Sequence, residues 1–149
     1  MKDKYIILEI IPTSQHKENG FIAQIQALKI NDNKIIERFD YRVNNDLIDN
    51  PKIKEIISYD KDMFTYVNKD EIINEFIKFI DDYSLLIMDD FYTKEYLSNI
   101  KNNKESILKY LNLEYSFDIF DKIIDKYKLE KTNHLVDLLY EAIMFENSK

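Results

Sequence analysis

The 149-residue sequence has no cysteine and no tryptophan, one glycine, two prolines, and only two arginines, Arg38 and Arg42, among 21 basic residues. Without cysteine there is neither a disulfide scaffold nor a thiolate metal site, and a reducing, cytoplasmic setting is the default expectation. No apolar run approaches the roughly 18 residues that span a bilayer, so membrane insertion is not expected. The run at Ile6, Ile7 and Leu8 breaks at Glu9 and is too short for a signal-peptide core. Scarce arginine, 28 acidic residues and a net charge of −7 argue against tight, nonspecific binding to a duplex. An acidic site that recruits divalent cations, which then meet a phosphate, stays open.

What is present suits one globular domain. Hydrophobic residues make up 45% of the chain and charged residues 33%. A chain of this length buries roughly 70% of its unfolded surface, enough for a core without cross-links.

Tyr5 to Ile11 reads as a strand buried on both faces, interrupted only by Glu9 and ended by Pro12. After a polar loop from Thr13 to Gly20, Phe21 to Ile30 alternates as a second strand. Asn31-Asp32-Asn33 is a turn whose residues tolerate positive φ, so Lys34 to Val43 is expected to fold back as a hairpin arm. Asn44 to Pro51 reads as a surface connection. Asn68 and Glu71 have capping-box spacing, and Ile72, Ile73, Phe76, Ile77 and Ile80 form an apolar stripe on a helix from about Asp70 to Asp81. Leu85 to Met88 reads as a short buried strand, parallel to the first, with Asp89 and Asp90 at its end. Helices are expected over Phe91 to Ile100, over Phe117 to Leu129, and from near Thr132 or Asn133 through Ile143, with either residue as cap. The fold class is α/β, three antiparallel strands and then parallel ones in a mixed sheet flanked by helices.

That order of elements resembles the ribonuclease-H-like DEDD exonuclease superfamily. Ile22-Ala23-Gln24-Ile25-Gln26-Ala27-Leu28-Lys29-Ile30 is similar to that family's second strand, I-x-E-I-G-A-V-K-V. Asn33 to Phe39 is similar to the G-K-I-x-x-x-F that follows it. Leu86 to Leu97 resembles V-A-H-N-A-x-F-D-x-x-F-L in its apolar and aromatic positions, and Thr132 to Asp137 falls where H-x-A-L-x-D is expected.

The resemblance implies a site in which four carboxylates hold two divalent metals that activate a water against a phosphodiester. In this sequence the family's first motif becomes Glu9-Ile10-Ile11-Pro12-Thr13-Ser14, so Glu9 replaces the first acid and Ile11 the second. A register shifted by two makes Glu9 the second acid and Ile7 the first. Thr93 stands in the place of the third acid, with Asp89 or Asp90 as substitutes from the strand end. Asp137 stands in the place of the fourth. Thr132 takes the place of the general-base His, and His134, one helical turn before Asp137, is the candidate that could face the same groove.

The candidate metal ligands are therefore Glu9, Asp89, Asp90 and Asp137, for Mg²⁺ or Mn²⁺ if the domain is active, with His134 as candidate catalytic base. One or two carboxylates hold these hard cations weakly. Each candidate also has a plainer reading: Glu9 as a paired or edge-exposed glutamate, Asp89 and Asp90 as a turn or helix-capping pair, Asp137 and Glu141 as a solvated helical face, and His134 as a surface residue or cap. The preferred expectation is a degenerate exonuclease-like domain, a pseudoenzyme without cofactor that binds a protein partner or a single-stranded nucleic-acid end. The alternatives are an active, divergent 3′ to 5′ exonuclease on DNA or RNA and an unrelated small α/β binding protein.

Overall fold

A computed structural model describes residues 3–14, 16–57, 64–66, 69–88, 90–132 and 134–149. Asp89, Asn68 and Asn133, singled out from the sequence, lie outside the described residues.

The first three strands form a meander. Strand β1 (Lys4–Pro12) pairs antiparallel with β2 (Ile22–Asn31), which pairs antiparallel with β3 (Lys34–Val43). The β2–β3 turn is the tight one its residues suggested, with Asp32 at φ 52° and Asn33 at φ 65°. Two consecutive positive φ values match the right-handed twist of the flanking strands, and short polar side chains reach them at low cost. With almost no glycine, the chain also uses Asp81, Asn112 and Lys128 at its other left-handed positions.

The remaining strands extend the sheet on both sides. Strand β4 (Phe64–Tyr66) runs parallel to β3. On the other side β5 (Ser84–Ile87) runs parallel to β1, as expected, and β6 (Lys104–Ser106) runs parallel to β5. The order is β4-β3-β2-β1-β5-β6. The mixed α/β sheet, antiparallel first and then parallel, is the one the element order implied. The three-residue strands β4 and β6 were not foreseen, because so short a run carries no periodicity.

Helices cover both faces. One face carries α1 (Pro51–Ile57), α2 (Lys69–Ile80) and α3 (Phe91–Tyr96), packed over Ile6, Leu8, Ile10, Ala23, Ile25 and Ala27. The opposite face carries α4 (Ile107–Tyr110), α5 (Ile119–Tyr127) and α6 (Leu135–Asn147), packed over Tyr5, Ile7, Leu28 and Ile30. Helix α1 begins inside what reads as a surface connection. On α2 the buried stripe is Ile72, Phe76, Phe79 and Ile80, while Ile77 is half exposed. Positions i, i+4, i+7 and i+8 centre the stripe one residue away from Ile77. Helix α3 ends at Tyr96, earlier than its sequence suggested. Helix α6 begins at Leu135, and the Thr132 hydroxyl accepts from the His134 N–H at 3.3 Å, a local turn before the helix rather than a cap on it. No helix among the described residues is long and apolar enough to cross a membrane.

The single glycine holds a crossing point. A Cβ on Gly20 would meet Ser14 Cβ at 2.7 Å, the Tyr96 hydroxyl at 2.8 Å and Thr13 Oγ1 at 2.9 Å. Tyr96, buried on α3, donates its hydroxyl to Ser14 O at 2.8 Å and to His16 O at 3.3 Å. This clasp ties the loop after β1 to the helix after β5.

Candidate functional site

A row of polar side chains crosses the middle of the sheet on the face under α6. Glu9 of β1 pairs in register with Gln26 of β2, and Gln26 pairs with Asp40 of β3. Partners in register point to the same face, so the three side chains form a line. Gln26 is only 3% exposed, and its Oε1 accepts the Val136 N–H in the first turn of α6 at 3.4 Å. That bond satisfies one of the amides that a helix start leaves without an intrahelical partner.

At one end of the row Glu9 lies 7% exposed on an interior strand. It is not at an edge of the sheet, and no cation among the described residues pairs with it. Its Oε2 is fully buried without a hydrogen-bond partner among the described residues. Burial first, and then the neighbouring Asp90 carboxylate, raise its pKa well above the ordinary glutamate range. Asp90, also buried, caps α3 by accepting the Thr93 N–H on Oδ1 at 2.7 Å. Thr93, in the place of the family's third acid, is 1% exposed beneath it. Tyr92 stands beside both carboxylates and hydrogen-bonds Tyr115; burial and then the Glu9 and Asp90 charges push its pKa upward. A cavity of about 540 Å³ opens here, lined by Glu9, Ile11, Pro12, Asn50, Ile53, Tyr92 and Leu135 among others.

The other end of the row belongs to Arg38. Its Nη2 donates to Asp137 Oδ2 at 2.8 Å, and its Nε donates to Asp40 Oδ2 at 3.4 Å. The bond to Asp137 raises the Arg38 pKa above its ordinary value, and burial raises that of Asp40, partly offset by Arg38 and His134. His134 occupies the residue before α6, near Asp40.

The structure thus brings Glu9 and Asp90 together at one end, and places His134 and Asp137 with Arg38 and Asp40 at the other. No three acidic or histidine side chains among the described residues gather closely enough to hold a metal ion. The two-metal centre implied by the resemblance draws on four carboxylates. Here Glu9 and Asp90 adjoin, Asp137 is turned to a guanidinium, and Ile11 and Thr93 bring no charge. This described donor set does not fit two divalent cations.

Sequence reasoning missed Gln26, Arg38, Asp40, Tyr92 and Tyr115. The one signal available was a pair of glutamines, Gln24 and Gln26, inside an otherwise apolar strand. They are 5% and 3% exposed.

Strand order and helix placement define a ribonuclease-H-like exonuclease fold. A solved structure similar to this chain is that of Escherichia coli exonuclease I in a complex with single-stranded DNA, in its zinc-bound form. The likeness has a TM-score of 0.59 at 10% identity and covers 98% of this chain. It covers 40% of that protein's chain, so this chain spans less than half the length of its neighbour. No protein-family profile and no curated protein matches the sequence.

Proposed function

We propose that this chain is a non-catalytic binding domain built on an exonuclease fold, a pseudoenzyme working in the cytoplasm. The observation that carries this reading is the commitment of Asp137 to Arg38 at 2.8 Å. The residue in the place of the fourth metal ligand is neutralised by a guanidinium, and only Glu9 and Asp90 adjoin at the end of β1 among the described residues. The described lining of the cavity at Glu9 is largely apolar and carries no cationic side chain for a phosphate, so it favours a protein partner over a nucleic-acid end.

The second reading, an active metal-dependent 3′ to 5′ exonuclease, is favoured by the likeness to an exonuclease solved with single-stranded DNA. It would use Glu9, Asp90 and Asp137 as ligands of Mg²⁺ or Mn²⁺, with Asp89 as a further acid and His134 as base.

The test incubates the protein with a 5′-labelled single-stranded DNA or RNA oligonucleotide and Mn²⁺, beside a Glu9→Ala/Asp137→Ala double variant purified identically. No shortening by either sample is the expected result. Shortening from the 3′ end that is lost in the double variant would replace the binding reading with the exonuclease.

A further inference from the structure

The geometry points to a slot for an arginine side chain of a protein partner, with its guanidinium on Glu9 beside Asp90 and its stem along Pro12, Ile53 and Leu135. The inference deepens the proposed binding function and rests on its reading that this end of the sheet holds no catalytic metal pair.

Glu9 Oε2 is the starting point. Native proteins give nearly every buried polar atom a hydrogen-bond partner, and Glu9 Oε2 has none among the described residues, on a side chain that lines a cavity. Glu9 is more than nine-tenths buried and lines the 540 Å³ opening, a size within the roughly 300–1,000 Å³ range of ligand sites.

Three other side-chain oxygens around the opening each accept a backbone N–H. Thr13 Oγ1 accepts the Phe21 N–H at 3.0 Å, Ser14 Oγ accepts the His16 N–H at 3.3 Å, and Asn50 Oδ1 accepts the Lys52 N–H at 2.9 Å at the start of α1. A divalent cation here would take one carboxylate from the described lining, Glu9, and water for the rest of its shell, which makes a weak site. One organic cation asks only for the carboxylate.

The remaining wall selects which cation. Ile10, Ile11, Pro12, Ile53 and Leu135 are apolar, and Tyr92 presents a ring. A guanidinium is planar and weakly hydrated, it stacks on aromatic faces, and its three-carbon stem lies comfortably along apolar surface. An ammonium is a strongly hydrated point charge and loses more on entering such a wall. The net charge of −7 attracts a basic partner at long range.

The test titrates the isotope-labelled protein with the pentapeptide acetyl-Ala-Ala-Arg-Ala-Ala-amide while the Glu9 carboxyl and Tyr92 ring resonances are followed by NMR. The controls are the same peptide with citrulline, the neutral isostere of arginine, and MgCl₂ at matched ionic strength. The expected result is a saturable shift of both resonances, with at least tenfold weaker binding of the citrulline peptide and loss of the shift in Glu9→Gln. Equal responses to the two peptides on the wild-type protein would overturn the inference without recourse to any variant, as would an unchanged response in Glu9→Gln. If neither peptide nor Mg²⁺ binds, this inference falls and the wider binding reading stands. Saturation of the Glu9 resonance by Mg²⁺ together with oligonucleotide shortening would overturn both.

Discussion

Glu9→Gln is expected to make this protein more stable, by an amount that grows with pH. Burial raises the Glu9 pKa in the folded chain, so the native state holds a proton that the unfolded chain has already released. Stability is therefore lost as pH climbs from the ordinary glutamate value of about 4.3 towards the raised folded value, at about 1.4 kcal/mol per pH unit. Below that window both states are protonated and the residue is neutral to stability. Glutamine keeps the shape, removes the ionisable proton and ends the repulsion with Asp90. Leaving one buried polar group unsatisfied costs about 1–3 kcal/mol, and more for a charge. Glutamine leaves a polar group in the same place, so the gain is that of the charge alone and grows by about 1.4 kcal/mol, or roughly 3–6 °C in Tm, for each pH unit within the window. Urea unfolding followed by circular dichroism at pH 6.0 and pH 8.5 measures the gap, with both values clear of the pI near 4.9. A widening gap in favour of the variant is the expected outcome. No gap at either pH, or one that narrows as pH rises, would refute the reasoning. A carboxylate retained against such a cost is the kind of strain that accumulates at functional sites.

The remaining expectations are more local. Gly20→Ala should destabilise by about 1–3 kcal/mol through overpacking, seen as a lower Tm, since its methyl would meet three atoms at 2.7 to 2.9 Å. Phe76→Ala, at a residue with no exposed surface, should cost about 3–5 kcal/mol in urea unfolding. Arg38→Gln should cost under about 1 kcal/mol because the ion pair with Asp137 is 40% and 33% exposed on its two sides. It should also confer no Mn²⁺-dependent cleavage of a labelled oligonucleotide, because freeing Asp137 still leaves Ile11 and Thr93 in the places of two acids.

The fold was legible where a side-chain pattern extends over a full element. The run before Glu9, the alternation of β2, the Asp32-Asn33 turn and the stripes of α2 and α6 each state a local preference that the tertiary structure keeps. The short strands β4 and β6 take their pairing from neighbours and show nothing in sequence. The site divides in the same way. Glu9 announces itself as a charge inside an apolar run. The line from Glu9 through Gln26 to Asp40 exists only once the register of three strands is set, and no single segment encodes that register. Arg38 and Asp137, 99 positions apart, meet for the same reason.

The two faces of the sheet differ in when they can be closed. Strands β1 to β3 are joined by short connections and form contacts that are local along the chain, a class that assembles early. The surface of Tyr5, Ile7, Leu28 and Ile30 is covered by residues from Ile107 to Ile143. The last part of that cover, α6, follows every described strand along the chain, so the sheet can pair before this apolar face is fully closed. A chain truncated before Leu135 would thus keep every described sheet strand and still present a half-closed domain to chaperones and proteases.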